Sequence, residues 1–259
     1  MNSLFRMKSG WRRITAARSL KYACVGLLCL LFSLPAAVQE TRTTPVEDQW
    51  RQYNEAVIQS ATYSHDNLRD LFPLNFDPPA MTTKVVTLTT FAYQLGTQTI
   101  PVYLWVTAVP EVKTKCGNFT DPDLALRLRQ FLGLQPEAQV GNFVTMTVRA
   151  GDIFRPAANP ITTTKALCFN PQGDMTCGEL FPDWVSDDHR KWIGNKMLTA
   201  YLVSNNHNSA YSYPWTRLGY TYDWKPGADK YGASEYVIRP GAVVQVTDMK
   251  PFTEYCGRP

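Results

Sequence analysis

Apolar residues recur along this chain at two spacings, and the change from one to the other divides it. Between Pro45 and Ala61, the residues Trp50, Tyr53, Val57 and Ala61 fall three and four positions apart, which is one face of a helix. The proline-rich stretch 70–82 (DLFPLNFDPPAMT) breaks that pattern and reads as a connector. Lys84 to Tyr93 (KVVTLTTFAY) and Ile100 to Val109 (IPVYLWVTAV) are then rich in β-branched and aromatic residues. They predict two antiparallel strands, with Gly96 between them permitting a hairpin.

Further on, the helical spacing returns with its ends marked. Over 120–133 (TDPDLALRLRQFLG), Thr120 or Asp121 offers a cap, Pro122 a first-turn residue and Gly133 a stop. Leu124, Leu128, Phe131 and Leu132 form the buried side, which leaves Arg127 and Arg129 for a solvated face. Asn142 to Arg149 alternates as a strand does. A second capped helix starts at Ser186 and runs through Trp192, Ile193, Met197, Leu198, Tyr201 and Leu202. The last third returns to strands at Thr216–Trp224, Ser234–Arg239 and Ala242–Thr247, the last two joined by a Pro-Gly turn. Strands and helices without β-α-β alternation predict an α+β fold, a mostly antiparallel sheet with two or three packed helices.

The N-terminus adds a compartment. Residues 1–22 hold Arg6, Lys8, Arg12, Arg13, Arg18 and Lys21 with no acid, and lead into the apolar run Ala23–Leu34. That order, followed by Pro35, Ala36 and Ala37, is that of a secretory signal, with cleavage after Ala37 or Gln39. The run is shorter than the roughly 20 apolar residues of a membrane span. The expected organisation is a signal peptide at 1–39, a helical arm and Pro-rich connector at 40–82, and a single globular α+β domain at 83–259. The expected location is secreted or periplasmic, with no membrane span after cleavage.

Removing the signal changes the charge picture. The full chain has 26 Lys and Arg against 22 Asp and Glu; without the six basic residues of 1–39 it has 20 against 22, a net −2. Nothing in that balance points to nucleic acid.

Four cysteines lie beyond the signal: Cys116, Cys168, Cys177 and Cys256. An even count in an exported chain predicts disulfides, with three possible connectivities. The favoured one joins Cys168 to Cys177 across FNPQGDMT, and Cys116 to Cys256. No short cysteine spacing and only three histidines argue against zinc, so no metal and no cofactor is expected.

Candidate chemistry is densest between Asn205 and Glu235. If Thr216–Trp224 is one strand, Thr216, Leu218, Tyr220, Tyr222 and Trp224 share one face, and Arg217, Gly219, Thr221 and Asp223 the other. Tyr213, Trp215, Tyr220, Tyr222, Asp223 and Trp224 are the candidate binding residues. An enzyme acting on nucleic acid or a nucleotide would use His207 and Glu235 as acid–base groups and the donor fork of Arg217 for a phosphate. His65 and His189 read as solvated.

Two resemblances bear on this. SEYVIRPGAVVQV resembles the glutamate-bearing strand of ADP-ribosyltransferases, which would cast Phe154-Arg155 and Thr162-Thr163-Thr164 as that family's arginine and Ser-Thr-Ser elements. Here those two elements lie only seven residues apart, and Ala233 stands where the first residue of the paired acidic motif would be. The blocks LRLRQFLGL, DIFRP, YPWTRLGYTYDW and SEYVIRPGA, across roughly residues 100–256, resemble a group of uncharacterised secreted bacterial proteins without an established activity. The expectation is therefore an exported, disulfide-bonded binding or accessory protein with an envelope or extracellular partner or ligand. Its rivals are the enzyme above and a structural component of a cell-surface assembly.

Overall fold

Among the described residues eight strands form an antiparallel sheet in the order β2 (Gly96–Thr99), β8 (Val243–Pro251), β4 (Asn142–Arg149), β1 (Thr82–Thr89), β3 (Leu104–Ala108), β7 (Tyr231–Ile238) and β5 (Ile153–Phe154), with β6 (Tyr220–Tyr222) paired to β7. The computed structural model describes residues 44–62, 64–164, 181–201 and 212–258. The predicted signal at 1–39, Cys168, Cys177 and His207 lie outside the described residues. With five helices beside the sheet among the described residues, the fold is α+β.

Helix α1 (Pro45–Ala61) begins where its sequence says it should. Thr44 caps it, accepting from the Glu47 amide while the Glu47 carboxylate accepts from the Thr44 amide. Its apolar stripe of Trp50, Tyr53, Ala56 and Val57 packs on Tyr222 and Trp224. Tyr53 and Val57 are wholly buried, and Thr43–Pro259 is one compact unit that includes α1. The expected arm is thus built into the domain.

β1 (Thr82–Thr89) and β3 (Leu104–Ala108) are antiparallel neighbours, but no tight hairpin joins them. Gly96 instead opens β2 (Gly96–Thr99), which crosses to the far edge and pairs with β8 (Val243–Pro251). The segment returns through Ile100, whose amide and carbonyl bond to Ala242 and Gly241. Pro101 brings no N–H to a ladder, and β3 starts only at Leu104. β4 (Asn142–Arg149) pairs with both β1 and β8, and is followed by the short β5 (Ile153–Phe154).

The predicted strand 216–224 shrinks to β6 (Tyr220–Tyr222). Arg217 and Gly219 both adopt left-handed backbone, φ 58° and 79°, which breaks strand alternation before Tyr220. β7 (Tyr231–Ile238) and β8 follow as expected, though both are longer.

Helix α3 (Leu124–Phe131) is capped by Asp123, whose carboxylate accepts from the Leu126 amide. Gly133, at φ 66°, ends it. Here the structure corrects the expectation for Arg127. Its side chain is buried against Phe119 and pairs with the carboxylate of Asp223, so it is not solvated. Asp223, set by alternation on the same strand face as Arg217, finds its partner 96 residues away in sequence.

α4 (Asp187–Ala200) is capped by Ser186 as expected. His189, in its first turn, is buried, which corrects the solvated reading. Its Nε2 lies 2.7 Å from the Ala157 carbonyl. A carbonyl only accepts, so Nε2 carries the proton. Burial, more than that bond, holds the His189 pKa below the usual value.

Two short helices were not foreseen. α2 (Glu111–Gly117) has under two turns and buries only Val112 and Cys116; α5 (Phe252–Tyr255) is one turn. They carry the favoured disulfide, Cys116–Cys256, with a Cα–Cα distance of 5.3 Å.

Strand alternation gives the sheet two faces. On one, Val85, Val106, Val144, Met146, Tyr236 and Ile238 form the largest core cluster, closed by Leu74 and Ile100 from outside the strands. The other face is covered in two patches. Leu124, Leu128, Phe131, Val112 and Tyr255 from α2, α3 and α5 cover Val86, Phe143 and Ala233. Trp192 and Ile193 of α4 join Trp215 and cover Phe154 and Val237.

Candidate functional site

A cavity of about 390 Å³ opens on this second face. Its lining comes from the strands and from both patches. Val86 and Leu88 of β1, Trp105 and Thr107 of β3 and Phe143 of β4 line it from the sheet. The register places Glu235 directly opposite Thr107, and Val237 opposite Trp105. Side chains two apart on a strand share a face, so Glu235 and Trp105 are diagonal neighbours.

The remaining lining is held rigidly. At the end of α3, Leu132, Gly133 and Leu134 contribute. A Cβ on Gly133 would lie 3.4 Å from the Tyr222 carbonyl and 3.5 Å from Pro214, so this stop glycine seats α3 against the segment before β6. Tyr213, Pro214 and Trp215 contribute from that segment, with Thr221 and Tyr222 of β6. The Tyr213 amide bonds to the Ala200 carbonyl, and the Tyr201 hydroxyl donates to the Trp215 carbonyl, tying the segment to the end of α4. The Thr221 hydroxyl donates to the Phe131 carbonyl.

Three aromatic rings cluster here. Trp105 lies 5.7 Å from Tyr213 and 6.2 Å from Trp215, and Tyr213 lies 6.3 Å from Trp215. These are edge-on or tilted contacts at the spacing such rings prefer.

Among the described lining residues, Glu235 alone bears a carboxyl and none is Lys, Arg or His. It is 6 % exposed, and its Oε1 has no hydrogen-bond partner among the described residues. The Tyr213 hydroxyl and the Trp215 indole N–H also lack partners there. Burial pushes the Glu235 carboxyl up to about 8, so at neutral pH it is mostly the neutral acid. Tyr213 is also raised, by burial first and by Glu235 second. Buried polar groups are nearly always bonded, so three unbonded ones beside one cavity set this region apart.

The other predicted site residues have other employment. Arg217 donates to the Ala61 carbonyl at the end of α1 and lies over the Tyr201 ring. It does not line the cavity. Tyr220 is buried and donates to the Asn67 carbonyl; Trp224 is buried and donates to the carbonyls of Arg129 and Leu134. Tyr213, Trp215 and Tyr222 do line the cavity, and Tyr222 donates to Gln59 as well.

Arg155 is wholly buried, bonded to Thr164, with its guanidinium 5.9 Å from the Tyr236 ring. Tyr236 belongs to the opposite face of the sheet from Glu235, so the residues matched to ADP-ribosyltransferases do not meet at the cavity. Trp105 and Thr107, by contrast, were not among the candidates. The signal available was alternation in LWVTAV, which sets both on the face opposite Val106.

No family model, curated protein or solved structure matches this chain.

Proposed function

We propose that this chain is an exported binding protein that takes a small ligand into the cavity beside Glu235. One observation carries this reading: a preformed, aromatic-lined cavity whose described lining holds a single carboxyl, that of the buried Glu235, with an unbonded oxygen. One other supports export: the Cys116–Cys256 disulfide fits an oxidising compartment.

A screen of small cations, anions and neutral aromatics, read by thermal shift and tryptophan fluorescence, tests the reading. Ligands that stabilise the protein should fail to do so in Leu88→Trp, where a larger ring occupies cavity space. Hits that stabilise the variant equally, or no hit in any class, overturn it.

The enzyme reading retains one support, a carboxyl with a raised pKa in a cleft. Its phosphate-binding arginine is engaged with Ala61 instead. Nucleotide and RNA turnover that is lost in Glu235→Ala would favour it over simple binding.

A further inference from the structure

We propose that the ligand of this cavity is an organic cation, an amine or quaternary ammonium group on a small apolar body, held by Glu235 and the half-buried rings of Trp105 and Tyr213, with the buried Trp215 backing them. This rests on the cavity being a ligand site.

Charge and surface distinguish the ligand classes. None of the nineteen described lining residues is Lys, Arg or His, and among them Glu235 alone bears a carboxyl. An anion would meet a carboxyl and no counter-charge. A neutral ligand would be served by the threonine and tyrosine hydroxyls already present, and gives no reason for a carboxyl where burial disfavours its ionisation. A cation has two sources of attraction. It can pair with the ionised carboxylate, and it can lie against aromatic faces, which attract positive charge through their quadrupole. Other aromatic residues of the protein already hold cations in this way, such as Phe119 under Arg127 and Tyr231 under Arg69. No such internal cation lies over Trp105, Tyr213 or Trp215 among the described residues.

The chemistry also predicts a proton. The titratable groups around Glu235 are Tyr213 before β6, Tyr220 and Tyr222 of β6 and Tyr103 before β3; no base or second acid lines the cavity from β1, β3, β4 or α3. Tyr213, Tyr220 and Tyr222 are all raised by burial, so they stay protonated through neutral pH. Glu235 is then the one group that can change charge when a cation enters. Its O–H bond breaks, the carboxylate pairs with the ligand, and the proton leaves to buffer.

The test uses matched pairs on the wild-type protein: choline against its uncharged tert-butyl isostere dimethylbutanol, and benzylamine against benzyl alcohol. The cation of each pair should bind about tenfold or more tightly. Calorimetry in two buffers of different ionisation enthalpy should show proton release, and cation affinity should rise with pH up to the Glu235 pKa. Glu235→Gln should lose the preference while keeping its circular dichroism. If the neutral members bind as well as the cations, or the preference survives in Glu235→Gln, the inference falls while the cavity stands as a site. If neither member of either pair binds, and no screened ligand does, both fall. The isostere comparison needs no variant, so it decides even if Glu235→Gln does not fold.

Discussion

Arg127 sets its two terminal nitrogens on the two carboxylate oxygens of Asp223, at 3.0 and 2.6 Å, joining α3 to the end of β6 in a side-chain environment almost closed to water. Asp121 adds a second carboxylate, 3.7 Å from Nε, and is itself held by Lys225 at 2.5 Å. The pair seats the helix whose C-terminal end lines the cavity.

Arg127→Met should therefore cost about 3 to 5 kcal/mol, because it leaves the Asp223 charge buried with its main counter-charge gone. Arg127→Met combined with Asp223→Leu should recover most of that loss, since two apolar groups leave no orphan charge. Urea denaturation followed by tryptophan fluorescence measures both. Single-variant costs under about 1 kcal/mol would mean the pair behaves as a surface ion pair.

The disulfide makes a separate prediction. Cys116 and Cys256 are 140 residues apart, so breaking the bridge releases a long loop in the unfolded chain. In the loop-entropy model that costs roughly 4 to 5 kcal/mol. The double variant Cys116→Ala, Cys256→Ala should show it as a lower urea midpoint, and reductant should lower the wild type to match. A wild type unmoved by reductant would contradict it.

These two links also show what the sequence made legible. Periodicity located α1, β4 and α4, because each has its own pattern over eight or more residues and, for the helices, its own cap. It could not reveal the Arg127–Asp223 pair, since nothing local distinguishes an arginine facing a distant carboxylate from one facing water. α2 and α5 escaped because two turns or fewer hold too few apolar positions to show a period. Glu235 is legible as an acid–base candidate at the start of a predicted strand. The cavity beside it is not, because it exists only where two patches of covering residues fail to meet over the sheet.

Gly219 gives a local test of packing. Its φ is 79°, and a Cβ there would lie 2.6 Å from Cδ of the buried Arg155 and 3.0 Å from Leu71. Gly227 has nearly the same φ, 77°, with nothing within 4 Å of a Cβ. Gly227→Ala should then cost only the backbone strain, about 1 kcal/mol. Gly219→Ala should cost that plus the displacement of Arg155, about 2 to 4 kcal/mol. Equal losses in chemical denaturation would show that Arg155 gives way freely.

Glu235 makes stability depend on pH with a definite sign. Its folded pKa of about 8 lies above the ordinary 4.5, so between those values the folded state keeps a proton that the unfolded state has released. Stability then falls as pH rises through this window, and the whole penalty, roughly 4 to 5 kcal/mol at 1.36 per unit, is present above pH 8. Glu235→Gln keeps the shape and removes the ionisation. The two proteins should be similar near pH 4.5 and diverge as pH rises, with the variant more stable by several kcal/mol at pH 9. Glu111, raised to about 7 by burial, adds a slope of the same sign to both, and His189, lowered by burial, destabilises both on the acid side. The difference between the curves therefore isolates Glu235. Urea midpoints at pH 5, 7 and 9 supply it, and parallel curves would show that Glu235 ionises like an exposed carboxylate, with water reaching it through the cavity.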